Sequence, residues 1–515
     1  MKFNKLYIVA SILPLLASCS LDREPYGLSG LWTSEANVQQ GLNSAYVPYY
    51  EEEAYGRGFL WAGGLSDDMV YNRTRANEDP LALFSTNTNN SGGMADNWTL
   101  MYQSIRRASD VIKNAPNVEM NEGVRNTMLG EANFLCAYNY FFLAKRYGGL
   151  PFFDINDPTN SNQPRQTKQK TYENIEAYLK EAIKYFSDVD GEKLWLRSDD
   201  DYGKPNLGAA YGLLAKVYMH WGKFTEAKAA AEEVIKSGKY NLETANGNGY
   251  AYLFSTEGEK SNENLFSLIN APIRHQGTVT CVVLLSGKLS GGSGWYYFAP
   301  TRSLYNAFEE GDQRRLVTLR GDGDEFVANG ETVILSTTGE AGKGDISDMT
   351  TGFMCTKFAD PYKSMSLSTW EAGADIPLLR YADVLLLHAE AIMRLNGAGP
   401  DNRTTGVAEA AESFNKVRVR AFGNDQSKAI AAPTFNDLVK ERRCELAYED
   451  ERHYDLVRWG MAKEVYAAAT TDVDPRGPRN FDPVKNEALP LPQSEIDNSN
   501  GVLINNPKDG YSNFN

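Results

Sequence analysis

A mostly α-helical fold is predicted: an irregular repeat of antiparallel helical pairs, broken by one loop-rich, partly β insertion. Three observations predict it. From Trp98 to Phe186, apolar residues recur at spacings of three and four in successive segments, the period of one helix face. Between Asn206 and Tyr240, two such segments are joined only by Gly222-Lys223-Phe224, a tight turn between antiparallel neighbours. From 245 to 375 that period gives way to glycine, serine and short β-like runs.

A first pair is expected over 31–50. Ser34 is its N-cap, with Ala36, Val38, Leu42, Ala45 and Tyr46 inside. Residues 51–95 mix aromatics with Gly63-Gly64, Asp67-Asp68 and a polar run from Ser85 to Ser91, the kind of loop that carries function on a helical scaffold. Pairs then fill 96–240. Trp98, Met101, Tyr102, Ile105, Ala108, Val111 and Ile112 line one helix. A second runs from Val124 to Arg146 and stops at Gly148-Gly149 and Pro151. Thr171 is read as the cap of a third, carrying Ile175, Leu179, Ala182 and Phe186. In Asn206–Tyr240, Leu214, Ala215 and Tyr218 face Ala227, Ala231, Val234 and Ile235. This matches the tetratricopeptide pattern, with Tyr211 in the place usually held by Trp. Small alanines at the crossing let two helices approach. Unrelated helical hairpins are the competing reading.

The insertion, about 245–375, holds Gly291-Gly292-Ser293-Gly294 and β-like runs at Thr278–Leu285 and Thr332–Ser336. Helical pairs resume over 376–470, with Ala389 and Ile392 on one helix and Ala410, Phe414 and Val417 on the next. Thr434-x-x-Asp437 is a capping box. Behind it Glu441, Arg442, Arg443, Glu445, Glu449, Glu451, Arg452, Asp455 and Arg458 crowd two helices among apolar residues. That pattern predicts partly buried ion pairs fixing helix packing rather than a catalytic centre.

The formal net charge is -15 over 515 residues. A chain so acidic gains nothing from a phosphate backbone, which argues against nucleic acid. Aromatics make up 11%, with 29 Tyr, a composition suited to stacking on neutral ligands. The four histidines, His220, His275, His388 and His453, are scattered, which argues against a histidine metal site. Cys136 and Cys444 lie in helical segments and read as small buried thiols. Whether Cys281 and Cys355 pair is left open. No cofactor is expected. Asp322-Gly323-Asp324-Glu325 lacks the full spacing of a calcium loop, so calcium stands as a minor alternative.

The N-terminus carries Lys2 and Lys5, then an apolar run from Leu6 to Leu16 that is too short to span a bilayer. With small residues after it, this describes a secretory signal over 1–18. Leu16-Ala17-Ser18-Cys19 resembles the lipobox of bacterial lipoproteins, in which the thiol is acylated. Three acyl chains of palmitate type, at about 0.8 kcal/mol per buried CH₂, would hold the mature chain on a membrane through Cys19. Removal of Lys2 and Lys5 takes the charge from -15 to -17. Residues 19–30, with Pro25 and Gly27, read as a flexible tether, which leaves 31–515 as a single domain.

Seven segments in order resemble the SusD/RagB family of Bacteroidetes surface lipoproteins. They are Gly130-Glu-Ala-Asn-Phe-Leu through Tyr147-Gly-Gly-Leu-Pro151, the pair Tyr211–Tyr240, Asn262-Glu-Asn-Leu-Phe-Ser267, Thr301–Arg315, Ile376-Pro-Leu-Leu-Arg-Tyr-Ala-Asp-Val through Ala391, Glu441-Arg-Arg through Trp459-Gly460, and Leu489-Pro-Leu-Pro with Asn505-Asn-Pro507. Cys136, Cys444 and Glu449-Asp450 depart from the family pattern. The resemblance implies a non-enzymatic, outer-membrane, cell-surface lipoprotein. It would bind oligosaccharide or polysaccharide and work as a lid that delivers it to a SusC-like TonB-dependent transporter. Asp22 fits the acidic tract tied to surface export. A RagB-type peptide binder is the alternative. A glycoside hydrolase is the enzymatic rival. It needs carboxylates about 5–10 Å apart across a cleft, whereas Asp67-Asp68 and Glu309-Glu310 are adjacent and diverge.

Sugar binding needs flat aromatic faces and fixed polar groups, placed in loops. Trp295-Tyr296-Tyr297, behind the glycine run, is the first candidate cluster, with Trp295 and Tyr296 as its leading contacts. Trp61, Asp67, Asp68, Tyr71, Asn72 and Arg73 form the second. Core packing is the competing role for each aromatic, and a loop cap for Asp67. Trp98 and Trp459 lie in helix motifs and read as structural, and Trp370 is a third, weaker candidate.

Overall fold

The structure, a computed structural model, describes residues 32–155, 162–271, 273, 277–290, 293–328, 331–360 and 373–505. The signal, Cys19 and the tether lie outside the described residues, as do His275, Gly291-Gly292 and Trp370.

Helices pack on their neighbours in chain order. α1 (Glu35–Tyr46) begins at Ser34, whose hydroxyl accepts the Asn37 N–H. A short α2 (Gly58–Gly63) precedes α3 (Gly92–Asn114), and both α1 and α2 pack on α3. α4 (Glu122–Tyr147) packs on α3, and α5 (Lys168–Phe186) on α4. Thr167, not Thr171, caps α5: its hydroxyl accepts the Lys170 N–H at 3.1 Å. Thr171 is buried one turn inside, where its hydroxyl accepts the Leu150 N–H instead.

The tetratricopeptide-like pair is α6 (Leu207–Trp221) and α7 (Phe224–Lys236), turned at Gly222 in the left-handed region, φ 80°. Close approach needs small residues here: a Cβ on Gly208 would stand 2.1 Å from the Tyr240 hydroxyl. α8 (Tyr381–Leu395) packs directly on α7, so the helical series continues as though the insertion were absent. α9 (Ala411–Ala421) and α10 (Phe435–Leu446) then cover α8, and α11 (Arg452–Arg458) follows. Ala389, Ile392, Ala410, Phe414 and Val417 are all buried, as their spacing predicts. The capping box forms in full: the Thr434 hydroxyl accepts the Asp437 N–H, and the Asp437 carboxylate accepts the Thr434 N–H at 2.8 Å.

Strands are short. β1 (Met69–Tyr71) lies outside the insertion. β2 (Asn264–Leu268), β3 (Phe298–Pro300), β4 (Leu319–Gly321), β5 (Glu325–Ala328), β6 (Glu331–Ser336), β7 (Gly344–Asp345) and β8 (Phe353–Cys355) lie within it, and β9 (Ile376–Arg380) closes it. The pairs β1–β3, β2–β9 and β4–β8 are antiparallel, and β5–β6–β7 forms a small sheet. The predicted strand at Thr332–Ser336 is part of β6. The one at Thr278–Leu285 is instead a helical turn, Thr280–Leu284, with all five residues buried. A short run that is apolar on every side shows neither period, so pattern alone does not separate the two states.

One core runs from Val38 to Leu503, and a smaller cluster around Leu285, Phe326 and Met354 serves the insertion. Through the core passes a charged network that joins the predicted Glu441 and Glu445 to arginines outside their helix. Arg380 reaches Glu263 and Glu445 at 2.8 Å each, Arg420 reaches Glu445 at 2.6 Å, and Arg314 reaches Glu441 at 2.6 Å. Cys136 and Cys444 are buried in helices, and burial raises both thiols above their ordinary pKa. Cys281 and Cys355 are buried too, with the Cys355 thiol pushed up to about 12. Among the described residues, no helix is long and apolar enough to cross a membrane.

Candidate functional site

β1 and β3 put residue 71 opposite residue 298, and so bring the segment after Tyr71 beside Trp295-Tyr296-Tyr297. Three carbonyls at the buried turn pin that triplet. Val282, Leu285 and Val283 accept the N–H groups of Trp295, Tyr296 and Tyr297 at 2.8, 3.0 and 2.9 Å. Tyr296 takes φ 42°, a left-handed conformation that costs a non-glycine residue about 1 kcal/mol or more. Asn72 clamps the same strip. Its backbone N–H meets the Tyr297 carbonyl at 2.7 Å, and its amide donates to the carbonyls of Tyr296 and Asp348. The Asn72 side-chain oxygen in turn accepts the Thr350 N–H.

Behind the strip stands Trp61, fully buried. Its indole N–H donates to Glu53 at 3.0 Å, and its ring meets Tyr71, Tyr297 and Phe298 edge-on, with centroids 5.3, 6.0 and 4.9 Å away. Three guanidiniums cover the rings. Arg57 sits 4.8 Å from the Tyr297 centroid and 5.6 Å from that of Trp61. Arg75 lies about equally near both, at 5.1 and 5.0 Å. Arg73 lies over Tyr296 and Tyr297 at 5.1 and 4.9 Å. A single π-helical turn, Glu52–Gly56, aims Glu53 and Arg57 at the cluster; such turns recur at functional sites. Burial raises the Glu52 carboxyl, and Arg57, 2.8 Å away, offsets only part of that rise.

The sequence candidates therefore divide. Trp295, Tyr296, Tyr297 and Arg73 are brought together, the three aromatics half-buried and Arg73 exposed. Trp61 is too deep to touch a ligand and acts as the rear wall, and Tyr71 hydrogen-bonds the Trp61 carbonyl at 2.6 Å. Asn72 spends its amide on backbone. Asp67 and Asp68 are both buried and face away into α10 and α11. Arg452 holds Asp67 at 2.9 Å, Arg443 holds Asp68 at 2.7 Å and Asp67 at 3.1 Å. Burial alone would raise the Asp67 carboxyl, but the two guanidiniums outweigh it and hold it well below the usual carboxylate range. Sequence reasoning missed Arg57 and Arg75. Arg73-x-Arg75 is a visible alternation that places two cations on one side of an extended segment, but nothing local ties Arg57 to them.

The other charged candidates are engaged elsewhere. Glu309 is bound by Arg418 at 2.9 Å and Lys440 at 2.8 Å. Asp324 accepts from Arg315 and the Gly321 N–H, and Asp322 accepts the Thr337 N–H, so the run at 322–325 ties down its own hairpin. Among the described residues, one group gathers a histidine with carboxylates: His220, Glu451 and Asp455. Lys145, Lys216, Arg442 and Arg458 already hold those carboxylates. Burial and these cations keep the His220 imidazole well below its ordinary pKa. Trp98 and Trp459 are buried, as their helix motifs predict. A separate groove of about 690 Å³ lies along α3, floored by Trp98, Tyr102 and Phe153.

The model of the SusD family matches residues 154–511. The chain belongs to the SusD family. A second model, described as starch-binding and associating with the outer membrane, matches 21–219 of this SusD-family chain. SusD-like protein P2 of Formosa agariphila is 26% identical, over 99% of this chain and all of its own. Among solved structures, surface glycan-binding protein A of Bacteroides fluxus is 25% identical with TM-score 0.74, covering 92% of this chain and 100% of its own. The Bacteroides thetaiotaomicron protein of that name, in complex with laminarihexaose, is 23% identical with TM-score 0.71, covering 92% and 99%; that likeness bears on the fold. The helical-repeat architecture is thus that of SusD-like proteins.

Proposed function

We propose that this protein is a non-catalytic glycan-binding lipoprotein of the outer membrane. It is anchored through Cys19, exposed at the cell surface, and passes oligosaccharides to a SusC-like TonB-dependent transporter. The open strip Trp295-Tyr296-Tyr297 carries the reading: three adjacent half-buried aromatics, braced from behind by Trp61 and edged by guanidiniums. Flat rings accept the C–H faces of sugars, and fixed donors beside them take hydroxyls. Relatives named as glycan-binding support the ligand class. The model described as associating with the outer membrane supports the location.

Calorimetry against oligosaccharide and peptide panels tests it. Binding to glycans, weakened at least tenfold in Tyr297→Ala with the folded state retained at the assay temperature, is the expected result. Binding to peptides alone would replace it with the RagB-type reading, and release of reducing sugar would replace it with a hydrolase. Globomycin-sensitive maturation and loss of the membrane fraction in Cys19→Ser test the anchor.

A further inference from the structure

We infer that the aromatic strip prefers an acidic glycan, one bearing a carboxylate or sulfate on a sugar ring, and that Arg73 reads the charge. This rests on the glycan reading above. The three guanidiniums at the strip are not equivalent. Arg57 is paired with Glu52 and Glu53, and Arg75 with Glu78 at 3.5 Å. Arg73 is exposed and forms no ion pair among the described residues. Its neighbours are two rings, with centroids at 5.1 and 4.9 Å, contacts that leave its N–H donors without a protein acceptor among the described residues. The clamp at Asn72 fixes the backbone directly before it.

A planar fork of donors, held over two aromatic rings and open to solvent, matches a carboxylate or sulfate projecting from a sugar that stacks on those rings. A neutral sugar offers the same cation only hydroxyl acceptors, which form weaker hydrogen bonds than an anion does. The net charge of -15 opposes an anion at long range, but screening over about 8 Å leaves the contact itself to local groups.

The test is calorimetric, on the full mature chain and Arg73→Gln, with three probes: hexameric oligogalacturonate, its methyl ester and laminarihexaose. The acid is expected to bind about tenfold tighter than the ester, and that gap to close in Arg73→Gln, with the acid losing more affinity than the ester does. Added salt should weaken the acid alone. Equal affinity for acid and ester, or a gap that survives Arg73→Gln, overturns the acidic preference and leaves the glycan reading standing. If no carbohydrate probe binds while peptides do, both readings fall.

Discussion

A carboxylate in a loop beside aromatic residues can take a sugar hydroxyl or hold a guanidinium, and Asp67 does the second. It is about as buried as the core around it, and it joins the loop after α2 to α11 through Arg452. Removing one partner of a buried pair leaves the other charge uncompensated, which costs about 3–5 kcal/mol. Asp67→Asn should therefore lower stability in urea by an amount of that order and leave the aromatic strip intact. The pH dependence has a definite sign. A carboxyl held below its unfolded value near about 3.9 contributes fully above that pH, and the contribution is lost as pH falls through the folded value. The deficit of Asp67→Asn should be constant from about pH 5 to about pH 8 and shrink below about pH 4. Urea midpoints at several pH values check this; a deficit that grew on acidification would contradict the ion-pair role.

Local elements set the site by close contact. At the second residue of α3, Gly93 lies against Trp61, and a Cβ there would stand 2.1 Å from the indole nitrogen. Gly93→Ala should push Trp61 off Glu53 and cost about 1–3 kcal/mol. Glycan affinity should fall with it, since Trp61 braces Tyr297 and shares two guanidiniums with it. Thermal melting and calorimetry on one sample separate the two effects. Elements with strong local punctuation are readable from the chain alone. Ser34, Gly222 and Thr434 with Asp437 each mark a helix boundary through one hydrogen bond or one backbone angle, and each stands where its residue type requires. The partial exposure of Trp295-Tyr296-Tyr297 is readable too, from the glycine run before them, though the packing of Tyr297 on Trp61 comes from a distant segment. Asp67 is not, since its partners lie 376 and 385 residues away. Nor is Arg57, which reaches Tyr297 only because β1 pairs with β3.

Across the whole molecule, the insertion adds the candidate strip without interrupting the scaffold. α7 meets α8 directly, and β2 and β9 close the base of the excursion. The join is locked by charge: Glu445 on α10 accepts from Arg380 at the end of β9, from Arg420 on α9 and from Arg314 inside the insertion. Glu445→Gln removes the centre of that network, and the loss should be at least about 3 kcal/mol because three guanidiniums lose their shared anion. If unfolding of that variant splits into two transitions, the network is what makes insertion and scaffold melt together. A crystal structure with laminarihexaose or oligogalacturonate bound locates the ligand itself. A sugar ring lying on Tyr296 or Tyr297, with Arg73 at hydrogen-bond distance from one of its substituents, is the expected result. An oligosaccharide seated in the groove of Trp98, Tyr102 and Phe153, with the strip bare, would contradict it.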